Sequence, residues 1–126
     1  METRGHIFIR PKVSNQLLKD FAFELFRWLH IPRFDERVIN PKEPETFYAG
    51  CGAGIEVSVG EHGIRGLEAF PFSVDLAPEG SKQAADYLRE HAHILAWRLS
   101  RDGFRCFVPK RIAPFMSEAE GMIYDA

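Results

Sequence analysis

Residues 79–103, "EGSKQAADYLREHAHILAWRLSRDG", leave little choice of conformation. Ala84, Ala85, Leu88, Ala92, Leu95 and Leu99 recur every three or four positions, which is one face of an α-helix. Ser81 stands where an N-cap accepts a backbone hydrogen bond, and Gly103 where a left-handed stop is needed. So long an apolar stripe has to be covered by another element. "NQLLKDFAFELFRWLH", with Ser14 before it as cap and Pro32 after it, carries a second stripe of Leu17, Leu18, Phe21, Leu25, Trp28 and Leu29. Phe23 and Phe26 fall off that stripe, so this helix is expected to bury a wide face.

Outside the helices the period changes from 3.6 to 2. "GHIFIRP" alternates Ile7 and Ile9 against His6, Phe8 and Arg10 before Pro11 stops it. "IEVSVGE" sets Ile55, Val57 and Val59 inward and Glu56, Ser58 and Gly60 outward. "HG", His62 and Gly63, predicts a two-residue hairpin turn. The return strand "IRGLEAFPFSVDLAP" shifts phase, with Leu67 and Ala69 odd but Phe70, Phe72, Val74 and Leu76 even, which predicts a bulge near Ala69–Pro71. "FRCFVPK" is the last strand, Phe104, Cys106 and Val108 on one side and Arg105 and Phe107 on the other. The order strand, helix, strand, strand, helix, strand predicts a ferredoxin-like βαββαβ fold of the α+β class, an antiparallel sheet with two helices packed on one face. Residues 1–111 then form a single α+β domain and 112–126 a C-terminal tail. Pro32 to Thr46, with three prolines and no clean period, is expected to be a long loop, and there is room for an additional short strand at "TFYAG".

A chain of 126 residues, 45% hydrophobic, suits one core. It has no apolar run of the roughly 20 residues a membrane span needs, and "METRGHIFIRPK" lacks the apolar stretch of a signal peptide. The expectation is a cytoplasmic protein with no membrane partner and with Cys51 and Cys106 as reduced thiols. The net charge of −2 conceals a strong segregation. Residues 35–79 hold 3 basic and 9 acidic side chains, whereas 80–111 hold 7 basic and 3 acidic. Such asymmetry bears on partners more than on fold.

No catalytic, metal or cofactor constellation emerges. Gly50, Gly52 and Gly54 run into a strand, whereas a phosphate loop needs its glycines before a helix N-terminus. Cys51 with His62 as base is chemically admissible as a thiol nucleophile, yet His62 falls at an expected hairpin tip. His91 and His93 project some 200° apart around a helix, so they cannot share one metal ion. "RGLEAFPF" is faintly similar to the octamer of RNA-recognition motifs, with Phe8 and Phe72 as stacking positions and Arg98, Arg101, Arg105, Lys110 and Arg111 as basic support. Its centre, Leu67, Glu68 and Ala69, departs from that pattern, and the acidic middle segment repels phosphate. Nucleic acid is therefore the alternative partner.

The main expectation is an interaction protein. Asp35, Glu36, Glu43, Glu45, Glu56, Glu61, Glu68 and Asp75 are the candidate partner-binding residues, gathered on the long loop and the strands after it. In size, mixed α/β layout and acidic surface the whole chain resembles the small immunity proteins of bacterial polymorphic and contact-dependent inhibition toxin systems, families that have no diagnostic motif. The resemblance implies a protein-binding inhibitor that occludes the active or substrate site of a cognate protein toxin, such as a nuclease, or of another basic protein.

Overall fold

A computed structural model describes residues 5–13, 15–38, 46–52, 54–78, 85–113 and 115–125, with the side chains of 85 and 86 left aside. The strands are β1 Gly5–Arg10, β2 Phe34–Val38, β3 Thr46–Gly52, β4 Ile55–Glu61, β5 Phe72–Pro78, β6 Arg105–Pro109 and β7 Gly121–Tyr124. The helices are α1 Leu18–Trp28 and α2 Ala85–Arg101, and a 3-10 turn at Glu118–Glu120 precedes β7. All seven strands join one antiparallel sheet in the order β2-β3-β4-β5-β1-β6-β7.

The expected four-stranded ferredoxin-like fold is therefore wrong. The four strands read from the sequence do lie side by side as β4-β5-β1-β6. Three more extend the sheet at both edges, so that it, and not the helices, dominates the molecule. Two of them fall where the sequence offered no clean period. The segment expected as a loop carries β2, whose residues Asp35 to Val38 are exposed; an edge strand with charged side chains loses the alternation that marks a buried one. The stretch expected as a tail carries β7, paired to β6 from Cys106↔Tyr124 to Pro109↔Gly121. β3 falls on the "TFYAG" segment.

One face of the sheet carries both helices. Ile7 and Ile9 of β1, Val57 and Val59 of β4, Val74 and Leu76 of β5, and Cys106 and Val108 of β6 pack with Phe21, Leu25, Leu88, Ala92, Leu95 and Leu99 in the main core. In α2 Leu88, Ala92, Leu95 and Leu99 of the expected stripe are buried, joined by Ala96 and Ser100; Ala84 and the Ala85 side chain lie outside what is described, and Gly103, at φ 102°, follows the helix end. The start of α1 differs from expectation. Leu17 is the N-cap residue, with no side-chain cap, and is 68% exposed, while Phe26 is fully buried. The cause is the added β2–β3 pair, which lies under α1: Phe26 stacks on Phe34 at 4.6 Å, and Phe23 meets Phe34 at 4.9 Å. The expected caps Ser14 and Ser81 lie outside the described residues, or before the observed helix start.

The second face has its own small core, and this corrects the hairpin. β4 and β5 pair from Ile55↔Pro78 to Glu61↔Phe72, so residues 62–71 leave the ladder as a ten-residue excursion instead of a two-residue turn. Leu67 and Phe70 from that excursion pack with Phe8, Phe107 and Met116 in a second cluster. The phase break in the sequence was the point where the chain passes from one core to the other, not a bulge.

Candidate functional site

The excursion, with Ala113 and Met116, covers the β1–β6 half of the second face. Among the described residues the β2–β5 half carries no such cover. Strand alternation brings Asp35 and Arg37 of β2, Ala49 and Cys51 of β3, Glu56, Ser58 and Gly60 of β4, and Ser73, Asp75 and Ala77 of β5 to this half, since each is registered beside the others across the sheet. A shallow groove of about 280 Å³ runs here, lined by Arg37, Glu56, Ser58, Gly60, Ser73 and Asp75 among others. Small side chains on β4 and β5 make its floor, and charges make its walls.

Those charges are paired. Arg37 Nη1 lies 3.5 Å from Glu56 Oε2, both partly open to solvent. His6 Nδ1 lies 2.5 Å from Asp75 Oδ1, across the β1–β5 register that sets the two residues opposite each other. Ser73 Oγ donates to the carbonyl of Gly60 at 3.4 Å. The half-exposed Arg37–Glu56 pair is worth little in stability, and its carboxylate can exchange a local cation for a partner's.

The eight acidic candidates do not form one surface. Asp35, Glu56 and Asp75 share the open half, and Glu61, at the end of β4, lines the groove. Glu36 is on the helix face, where the Tyr48 hydroxyl donates to it at 3.3 Å. Burial, then the neighbouring Glu36 charge, pushes the Tyr48 phenol up from its ordinary value. Glu68 is in the excursion, accepting from the Gly66 N–H at 3.1 Å; hydrogen bonds from its own N–H and from Gly66 hold its carboxyl below the usual range. Glu43 and Glu45 lie outside the described residues. Sequence reasoning missed Arg37, Ser58 and Ser73 of the groove, although outward alternation on β4 already pointed to Ser58.

The thiol dyad does not assemble. Cys51 is registered beside Glu56, whereas His62 follows the far end of β4, six residues and about 20 Å along the strand. His62 closes the neck of the excursion instead. Its Nε2 donates to the Phe70 carbonyl at 2.5 Å and its Nδ1 accepts from the Ile64 N–H at 3.1 Å, so both nitrogens are used. Cys106 is buried, which pushes its thiol up to about 12. His91 stacks on Tyr87 at 5.8 Å and His93 Nδ1 lies 2.8 Å from the Tyr124 hydroxyl, in separate surroundings. Among the described residues no group of three or more His, Cys, Asp or Glu side chains is placed to hold a metal ion.

The positions proposed for base stacking are closed. Phe8 is in the second core and Phe72 in the main one, where it stacks on Phe21 at 4.7 Å. Arg105 is tied to Glu118 at 3.4 Å and Asp125 at 3.2 Å. Among the described residues no helix is long and apolar enough to cross a membrane. No protein-family model matches the chain, and no curated protein matches it significantly.

Proposed function

We propose that this protein is a binding module that recognises a basic protein partner through the uncovered β2–β5 half of its sheet, acting as a toxin-neutralising immunity protein. The observation that carries this reading is the asymmetry of the second face. One half is sealed by its own core, while on the other no described residue covers four neighbouring strands, with small residues in the middle and Asp35, Glu56 and Asp75 around them. A flat area of small residues lets a partner approach closely, and its charges set encounter rate and orientation more than raw affinity. The closed positions of Phe8 and Phe72 weigh against stacked bases on this sheet.

The test is capture on immobilised protein, followed by association kinetics with the partner so identified. A basic protein retained by the parent chain and lost with Glu56→Lys plus Asp75→Lys supports the reading. Equal capture by that variant overturns it. RNA retained by the parent and lost on reversal of Arg98 and Arg101 replaces it with the nucleic-acid alternative.

A further inference from the structure

We infer a second binding site, for a small organic anion, in the cleft where β1 and β6 part beneath α2. The two strands are registered from Arg10↔Arg105 to Phe8↔Phe107. Beyond that point the β1–β6 ladder stops: β1 runs back to Gly5, while β6 goes on through Val108 and Pro109 still paired with β7 on its other edge. The Lys110 N–H, donating to the Glu120 carbonyl at 2.9 Å, carries that outer pairing one residue further. The parting strands and α2 enclose a cleft of about 490 Å³, within the range of small-molecule sites.

Gly5, Ala92 and Val108 line an apolar floor with His6 and His93 beside them, and Lys110 and Arg111 after β6 line the rim. α2 lies directly against β1 here: a Cβ on Gly5 would stand 2.5 Å from the Leu88 carbonyl oxygen. Arg111 meets Glu120 at 3.4 Å, but with its side chain 70% exposed that pair is weak and open to exchange. Guanidinium and ammonium groups above an apolar floor fit a ligand with a phosphate or carboxylate head and an apolar body. The site draws on the basic segment 80–111 and touches the acidic groove through His6, whose ring pairs with Asp75.

Fluorescence titration of the full chain with anilinonaphthalene sulfonate, an apolar body with one anionic head, tests the site at low salt. The expected result is saturable one-to-one binding that Lys110→Glu plus Arg111→Glu weakens about ten-fold or more, and that Glu56→Lys in the groove leaves unchanged. Competition by inorganic phosphate but not benzoate assigns a phosphate head, and the reverse assigns a carboxylate. Non-saturable binding, equal binding by the double variant, or competition by neither anion overturns the site. Should the reversed variant lose its far-ultraviolet dichroism, Lys110→Gln plus Arg111→Gln removes the charge without inverting it and decides the question on the same terms.

Discussion

Single residues hold the second face together. Gly66 sits at φ +96°, and a Cβ there would lie 1.6 Å from the Met116 carbonyl oxygen, with the Met116 N–H bonded to the Arg65 carbonyl at 2.8 Å. Gly66→Ala combines a left-handed backbone with a backbone clash, so it should cost at least about 2 kcal/mol in urea unfolding. The two cysteines should differ equally clearly. Cys106 is buried and its thiol is raised to about 12, so the folded chain keeps a proton that the unfolded chain gives up near the ordinary value of 9.0. The stability linked to this thiol is then complete below pH 9 and is lost as pH rises towards 12. Cys106→Ala should remove that alkaline decline from a series of melting curves. At neutral pH a maleimide should label the exposed Cys51 quickly and Cys106 only on unfolding.

At the scale of elements, the strength of each local pattern decided how well it could be foreseen. In α2 a stripe meets the sheet, and Leu88, Ala92, Leu95 and Leu99, expected to be buried, are buried, with Ala96 and Ser100 beside them; Leu95 is 5% exposed in the main core. Leu95→Ala should cost about 2–5 kcal/mol, and a loss below half of the lower figure in denaturant unfolding would mean that α2 bears on the sheet elsewhere. α1 carries Phe23 and Phe26 beside its apolar stripe, so its sequence left the edge of the buried face open, and the β2–β3 pair drew Phe26 into it. The excursion 62–71 is the sharper case. Its apolar residues Leu67 and Phe70 looked like strand positions out of phase, because a sequence does not say which of two cores a side chain serves. Phe70 is fully buried beside Phe107 at 5.9 Å. Phe70→Ala should cost about 3–5 kcal/mol and should speed hydrogen exchange in 62–71 while α2 stays protected, if the second cluster opens independently.

The molecule as a whole is a sheet with two unequal sides, one covered by helices and one half-covered by loops. Among the described residues this arrangement confines the acidic candidates on the open half to Asp35, Glu56, Asp75 and Glu61, and sets Glu36 and Glu68 on other surfaces. Association with a basic partner through the groove should therefore slow with Glu56→Lys plus Asp75→Lys at low ionic strength, and the difference should shrink as salt is raised, because exposed charges are screened. Glu68→Lys should have the smaller effect, as measured by stopped-flow association. The sequence by itself determined the elements whose side chains repeat with one clear period: β1, β4, β6 and α2, and which side chains share a face on each strand. It also determined that the two histidines of α2 cannot share a metal ion, since that follows from helix geometry alone. Only the tertiary structure decided the number of strands, the second core and the scattering of the acidic residues. Edge strands such as β2 and β7 are half-solvated and owe their shape to the neighbour they pair with. The charges inherit their positions from that pairing, through a register that no local pattern contains.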